Sequence, residues 1–300
     1  MTIEELKKLH YEVKPCEEAD IAYIDEQCGN YDNTVVPPRP EAKTERIVRK
    51  ITDEDGNMIA GYVLKILAWD IAQLNRIWVD ARFRGRGMGA ALVREAEGMA
   101  REKNCHLLSL GTFDFQAKPF YEKQGYRLCG TNENWPKGHC SHIMMKRLDL
   151  DTQQNDSSKE MGFFEIQTGN EADADFMDQK LGEHNAPFVP PEDPDKVIQL
   201  SCKITDAQGK LIAGIRAEVD DWETAEIMCL WVEEPYRSQG FGSFLLRSVE
   251  QEAKEKGAYL ALSDGCDWTE DFLFANDYTA YATVEDFPKG HRLHFFRKPL

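Results

Sequence analysis

The stretch Arg84-Gly-Arg-Gly-Met-Gly89 lies between a strand-like segment that ends at Val79 and a segment with the apolar spacing of an amphipathic helix. The helical face consists of Leu92, Val93, Ala96 and Ala100. Glycines in such a turn let the backbone adopt positive φ and approach a ligand closely. The first amides of the following helix have no internal partner, and the positive end of the helix dipole lies at the same place. The stretch therefore predicts an anion-binding turn suited to a pyrophosphate.

The same turn returns 153 positions later (84 to 237) as Arg237-Ser-Gln-Gly-Phe-Gly242. The segment Ile51–Gly61 returns in the same register as Ile204–Gly214, with seven of eleven residues identical. The pair Pro37-Pro38 likewise returns as Pro190-Pro191. A register kept over this length indicates a duplicated domain, and its period is far too long for a solenoid.

Late in each copy the offset falls to 152, because Pro136-Lys-Gly-His139 matches Pro288-Lys-Gly-His291. One residue is therefore missing from the second copy. The comparison of the two copies places the loss between about positions 117 and 126 of the first copy.

The segment between the copies is polar and almost free of large apolar residues, which predicts a linker. We therefore expect one domain over residues 1–148, a linker over 149–162 and a second domain over 163–300. Predicted strands and helices follow the order β-β-β-α-β-α-β in each copy. This order predicts an α+β fold, in which each domain is a mixed, mostly antiparallel sheet flanked by helices.

Composition excludes several classes of function. Asp and Glu outnumber Lys and Arg by 53 to 36, and the net charge of −17 argues against nucleic acid as a partner. No apolar run approaches the length of a membrane span, and the first residues have no apolar signal core. No two of the eight cysteines form a C-x-x-C pair, so no metal site is indicated. We expect a reduced, cytoplasmic protein.

Two other phosphate-binding motifs do not fit the glycine-rich turn. The spacing is R-x-x-G-x-G, and the turn follows several strands instead of opening a βαβ unit, which argues against a dinucleotide fingerprint. Neither copy contains G-x-x-x-x-G-K-[ST], so P-loop chemistry is not indicated either.

A second motif follows later in the first copy, as Ala117-Lys-Pro-Phe-Tyr-Glu-Lys-Gln-Gly125-Tyr126. The first motif, R-x-x-G-x-G after a strand that ends in Trp-Val, together with A-x-x-F-Y-x-x-x-G-Y resembles the GNAT superfamily of N-acetyltransferases. The resemblance covers nearly the whole of both copies. It implies transfer of an acetyl group from acetyl-CoA to a primary amine of a small molecule or peptide.

The resemblance also assigns the binding of CoA. The amides of the R-x-x-G-x-G turn hold the pyrophosphate, and the edge of the preceding strand hydrogen-bonds the pantetheine arm. The implied CoA-binding residues are Ile77, Trp78, Val79, Arg84, Gly85, Arg86, Gly87, Met88, Gly89, Ala117 and Phe120, with Arg237, Gly240 and Gly242 in the second copy.

Acetyl transfer needs a group that protonates the departing thiolate, and Tyr121 holds the position of the general acid in the family. A tyrosine suits this step because its pKa is near that of a thiol. Asp70 and Asp114 are candidates for the base, although either could cap a turn, and a water chain would need no dedicated base. The backbone N–H near Ile77 would polarise the thioester carbonyl.

The resemblance places Tyr31, Asp32 and Asn33 in a loop that closes over the acceptor. His139 fits a turn better than catalysis, because its counterpart His291 is kept in the second copy.

The second copy departs from the motif where the chemistry is expected. Leu273 or Phe274 replaces the tyrosine, Asp277 replaces the glycine, and Gln239 replaces the second arginine of the turn. We expect this copy to pack against the first as an intramolecular pseudo-dimer without catalysing. A second hypothesis for the whole chain is a non-catalytic module that binds or senses acyl-CoA.

Overall fold

The computed structural model describes residues 1–38, 44–150, 164–190 and 193–300. Most of the predicted linker lies outside the described residues. The elements of the first copy are α1 (Ile3–Lys8), β1 (Glu12–Lys14), α2 (Glu18–Val35), β2 (Glu45–Thr52), β3 (Met58–Leu67), β4 (Ile71–Val79), α3 (Met88–Glu102), β5 (Leu107–Phe113), α4 (Lys118–Lys123), β6 (Arg127–Glu133) and β7 (Cys140–Arg147). Those of the second copy are β8 (Gln167–Thr168), α5 (Glu171–Asn185), β9 (Ile198–Thr205), β10 (Leu211–Val219), β11 (Thr224–Val232), α6 (Phe241–Glu255), β12 (Leu260–Cys266), α7 (Glu270–Phe274), β13 (Thr279–Glu285) and β14 (Arg292–Pro299).

The chain forms two compact units that do not coincide with the two sequence copies. Unit 1 consists of residues 1–37, 192–281 and 294–300, and unit 2 consists of residues 38–191 and 282–293. Each unit contains segments of both copies, so the compact units differ from the contiguous domains expected from the repeat, which remain a prediction about the sequence copies. Two of the four boundaries between the units fall at the repeated proline pairs, and the other two fall at 281/282 and 293/294.

In unit 2 the strands of the first copy lie in the order β6-β7-β5-β4-β3-β2, and β8 pairs with β2. All of these pairings are antiparallel except that of β4 with β5, which are joined through α3. The parallel pairing extends only from Ile71–Leu107 to Gln73–Ser109. A β-bulge at Asn75 follows, where Leu74 and Arg76 oppose consecutive residues of β3. The two central strands therefore separate beyond Gln73.

Helices cover both faces of the unit 2 sheet. Side chains of β3 alternate between the faces, as expected for a strand. Tyr62 and Leu64 belong to the apolar cluster that contains Leu92 of α3. Val63 belongs to a separate cluster that contains Met177 of α5. The helix α5 thus covers the face opposite to α3, although it comes from the second copy.

Unit 1 has the same architecture, but its helix α2 comes from the first copy and most of its strands come from the second. Its strands lie in the order β1-β9-β10-β11-β12-β14, and α2 contacts β10 and β11. The parallel strands β11 and β12 pair only from Thr224–Leu260 to Glu226–Leu262. A bulge at Met228 follows, 153 positions after Asn75.

Repeated contacts hold the exchanged helices in place. Capping boxes begin both helices, with Asp20 in α2 and Asp173 in α5. Asp173 also pairs with Lys50 of β2 at 2.8 Å, and Asp20 pairs with Lys203 of β9.

The repeated glycines of the two I-A-G segments leave room for the same helices. A Cβ atom at Gly61 would clash with Met58 and the carbonyl oxygen of Arg49 and would lie 3.1 Å from the sulfur of Met177. One at Gly214 would clash with Ile24 of α2. These close approaches explain why both copies have glycine at this point of the sheet.

In unit 1 a disulfide joins Cys28 of α2 to Cys229 of β11. The expectation that the cysteines are reduced is therefore wrong for this pair, while the other six are free. In the described part of the chain no helix is long and apolar enough to cross a membrane. The same residues contain no group of three or more His, Cys, Asp or Glu side chains that could hold a metal ion.

Candidate active site

The glycine-rich turn of unit 2 has the geometry that its sequence predicts. Gly85 and Gly87 have φ of +75° and +85°, and Gly87 is the N-cap of α3. A Cβ atom at either glycine would meet open space. Arg84 Nε donates to the carbonyl of Val79 at 2.9 Å and so holds the turn against the end of β4. The turn is exposed, and it lies where an anion can reach the amides of α3.

Phe120 of α4 packs against the first turn of α3. A Cβ atom at Gly89 would lie 3.3 Å from Phe120 Cζ, so the glycine permits this close approach. Ala117 precedes α4, and its carbonyl accepts from the amide of Phe120 at 2.9 Å. The structure therefore brings Ala117 and Phe120 next to the predicted pyrophosphate turn.

The predicted pantetheine edge, Ile77 to Val79, pairs with β3 on one side and lies beyond the part of β4 that pairs with β5. The side chain of Trp78 turns away from the gap, because it packs edge-on against Phe176 of α5 at 5.5 Å between ring centroids. Only the backbone of Trp78 is therefore available at this edge.

Tyr121 lies in α4 with 5% of its surface exposed. Its ring makes edge contacts with Phe120 and Tyr126, at 5.1 and 5.8 Å between centroids. Burial raises the pKa of Tyr121 above its ordinary value. The hydroxyl is therefore protonated at neutral pH, but in the absence of a ligand it is a weaker acid than an exposed tyrosine.

Leu273 takes the place of Tyr121 in unit 1. The amide of Tyr126 donates to the carbonyl of Tyr121 at 3.1 Å, and the amide of Tyr278 donates to the carbonyl of Leu273 at the same distance. Leu273 is buried, whereas Phe274 is 48% exposed. Of the two residues that the sequence left open, Leu273 is thus the counterpart.

Hydrogen bonds also locate the residue that the second copy lacks. The carbonyl of Ala117 accepts from Phe120, and the carbonyl of Thr269 accepts from Phe272. The offset is therefore already 152 at Ala117. The loss falls earlier than expected, in the turn between β5 and α4, where the first copy has one residue more.

The two candidate bases occupy different places. Asp114 follows β5 at the open end of the strand pair, and its carboxylate lies 3.1 Å from His139 Nδ1. Asp70 lies in the turn before β4, where its carbonyl accepts from His106. Because β4 and β5 pair between Asp70 and the open segment, Asp70 is about 13 Å along the strand from the point of separation. The structure therefore places Asp70 on the closed side of the strand pair and Asp114 at its open end.

His139 contributes to a turn and to the site. Its amide donates to the carbonyl of Pro136 at 2.9 Å, and His291 makes the same bond to Pro288. The backbone role is thus common to both copies. The side chain of His139 also contacts Phe115, edge-on at 4.9 Å, beside Asp114.

Tyr31, Asp32 and Asn33 lie in the last turns of α2 and not in a loop. This helix belongs to unit 1, whereas Tyr121 belongs to unit 2. Asp32 accepts from the indole N–H of Trp268 at 2.9 Å, and the guanidinium of Arg237 lies 4.8 Å from the Tyr31 ring centroid. The predicted acceptor residues therefore lie with the glycine-rich turn of the second copy.

The part of α5 that corresponds to Tyr31, Asp32 and Asn33 lies in unit 2, and the sequence-based prediction did not include it. Positions 153 residues after Tyr31 and Asp32 are His184 and Asn185. Asn185 Oδ1 accepts a hydrogen bond from the side-chain amide of Gln116 at 3.1 Å. The pKa of His184 is lowered by burial and, to a smaller extent, by the charge of Arg84. The repeat offset was the signal that could have found these residues.

The glycine-rich turn of unit 1 has the same shape as the turn of unit 2 but carries one positive charge fewer. Arg237 Nε donates to the carbonyl of Val232 at 2.9 Å, as Arg84 does in unit 2. Gly240 has φ of +90°, and a Cβ atom at Gly242 would lie 3.2 Å from Phe272. Gln239, in place of Arg86, donates to the carbonyl of Pro235 at 2.8 Å.

Two parallel strands that separate beyond a bulge, with a glycine-rich turn that begins the helix between them, have the arrangement that the resemblance to the GNAT superfamily implies. Residues 7–126 and 159–267 both match the Acetyltransferase (GNAT) family, and the chain belongs to this family. The two matches confirm the tandem form, and the named acetyltransferase relatives support acyltransferase activity.

Among curated proteins, the blasticidin-S acetyltransferase of Streptomyces morookaense is 34% identical over 112 residues, which are 37% of this chain and 82% of that protein. The glucosamine 6-phosphate N-acetyltransferase of Trypanosoma brucei brucei is 30% identical over 80 residues, 27% of this chain and 45% of that protein. Among solved structures, an acetyltransferase from Bacillus cereus is 31% identical with a TM-score of 0.42, covering 45% of this chain and 96% of its own.

Proposed function

We propose that this protein transfers the acetyl group of acetyl-CoA to a primary amine, and that the reaction takes place in unit 2. The observation that carries the proposal is the complete R-x-x-G-x-G turn, against which Phe120 packs, with Tyr121 as the next residue of the same helix. In unit 1 the equivalent position is Leu273, which has no proton to give.

In this proposal the amides of the turn from Arg84 to Gly89 bind the pyrophosphate of acetyl-CoA. The pantetheine arm lies along the open edge of β4, and the backbone N–H near Ile77 polarises the thioester carbonyl. The amine nitrogen forms a bond to the carbonyl carbon, and the C–S bond breaks. The amine loses a proton to water or to the Asp114–His139 pair, and Tyr121 donates its proton to the sulfur.

The acceptor is a small molecule or peptide that carries a primary amine. One relative acts on blasticidin S, so this compound is the first amine to test. Mixing the purified protein with acetyl-CoA and each of blasticidin S, glucosamine 6-phosphate, spermidine and a lysine peptide should release free thiol with at least one of them. Binding of CoA without thiol release in all four reactions would contradict the proposal and favour the non-catalytic hypothesis.

For unit 1 we propose acyl-CoA binding without turnover. The preserved turn geometry at Arg237, Gly240 and Gly242 supports binding, and Leu273 argues against catalysis. Titration calorimetry with CoA tests this part of the proposal, since two binding events per chain are expected.

A further inference from the structure

The end of α5 presents a short, well-held segment of the second copy to the unit that contains Tyr121. The carbonyl of Asn185 accepts from the amides of Phe188 and Val189 at 2.8 and 3.1 Å. Val189 is buried, so it anchors the segment, while the Asn185 side chain accepts from Gln116. Gln116 lies in the turn that leads directly into α4.

Phe188 adds an exposed ring to this segment. It stacks on Phe115 with 4.7 Å between centroids and 4° between planes, and Phe115 stacks in turn on Phe113 at 5.2 Å. Despite this stacking, 46% of Phe188 remains exposed. A ring that is held in a fixed orientation and left half exposed offers a flat apolar face on which another ring can stack.

The position of α5 indicates the side from which the acceptor amine would reach the gap between β4 and β5. The gap between β4 and β5 opens to both faces of the sheet, and α3, with the predicted pyrophosphate turn at its start, covers one face. The helix α5 covers the other face. An amine that attacks the thioester through the gap therefore approaches along α5, past Phe188 and the Asp114–His139 pair.

We infer that the second sequence copy supplies the acceptor-binding wall of the Tyr121 site, with Phe188 setting the affinity for the acceptor amine and Asn185 holding Phe188 in place. This inference rests on the proposed function. It also assigns a chemical class to the acceptor. The parallel Phe113–Phe115–Phe188 stack suits an amine joined to a flat ring, because another flat ring can continue the stack. Asp114 supplies the negative charge that such a cation needs.

The test compares Phe188→Ala, Phe188→Leu and Phe188→Trp with the unmodified protein, using whichever of the four amines gives the fastest thiol release. Phe188→Ala and Phe188→Leu should raise KM for the amine about tenfold, consistent with the loss of a stacked ring. Phe188→Trp should retain the low KM. Neither the KM for acetyl-CoA nor the slow thiol release without an amine should change.

Val35→Ala is the matched control, because Val35 lies 153 positions before Phe188, is 37% exposed and belongs to unit 1. It should leave the KM for the amine unchanged. An unchanged KM in Phe188→Ala, or an equal rise in Val35→Ala, would overturn the inference while leaving the proposed function intact. Retention of the low KM in Phe188→Leu would overturn the flat-ring acceptor. Absence of thiol release by the unmodified protein with every amine would instead contradict the proposed function.

Discussion

The side-chain amide of Gln116 donates to Asn185 Oδ1 at 3.1 Å, although the two residues are 69 positions apart in the chain and belong to different sequence copies. A corresponding bond joins the indole N–H of Trp268 to Asp32 at 2.9 Å across 236 positions. Each exchanged helix is thus bonded to the turn before the short helix of the unit that receives it. The exchanged helices α2 and α5 therefore contact these turns as well as the sheets that they cover.

Replacement of Tyr121 by Phe should lower kcat by about 10²-fold to 10⁴-fold, because the departing thiolate loses its proton donor. The KM for acetyl-CoA should change little, since the ring and its contacts with Phe120 and Tyr126 are kept. Steady-state thiol release at saturating amine measures both constants. Leu273→Met, at the equivalent place in unit 1, is the control and should leave kcat unchanged. A normal kcat in Tyr121→Phe would remove Tyr121 from the mechanism.

The sequence predicted the turn, the buried face of α3 and the position of Tyr121, because each depends on neighbouring residues. The sequence did not predict that α2 and α5 each pack on the strands of the other copy. Because the domain is duplicated, each helix could pack equally well on either of two similar sheets. Ile24 faces Gly214 and Met177 faces Gly61, and both glycines occur in the same repeated segment. The pattern of apolar residues and glycines therefore fits either arrangement.

Replacement of Gly87 by Ala should raise the KM for acetyl-CoA at least tenfold. The φ of +85° at Gly87 costs a residue with a side chain about 1–2 kcal/mol, so the turn should shift its amides away from the pyrophosphate. Gly56→Ala is the matched control, because Gly56 has φ of +83° and equally open surroundings but lies in the β2–β3 turn. It should destabilise the fold by a similar amount without affecting that KM. Calorimetric titration of both variants with CoA separates the two effects.

Replacement of Asp114 by Asn should lower kcat/KM for the amine at neutral pH by about 10²-fold if the Asp114–His139 pair accepts the amine proton. The loss should shrink as pH approaches the pKa of the amine, because more of the substrate then arrives deprotonated. Asp70→Asn should match the unmodified protein over the whole pH range, since Asp70 lies on the closed side of the strand pair. A profile for Asp114→Asn that parallels the unmodified one at every pH would point to a water chain instead.

Acidification should destabilise the protein partly through His184. Burial and the charge of Arg84 lower the pKa of His184 below its ordinary value of 6.5, so the folded state favours the neutral ring. Below pH 6.5 the unfolded chain takes up a proton that the folded chain resists, and the free energy of unfolding falls as pH falls. The pKa of His142 is lowered in the same direction, mainly by burial, so His184→Gln should remove only part of the dependence. Urea unfolding at pH 7.5 and 5.5 should therefore show a smaller loss of stability in His184→Gln than in the unmodified protein. Equal losses in the two proteins would mean that the pKa of His184 is the same in the folded and unfolded states, contrary to the effect expected from its burial.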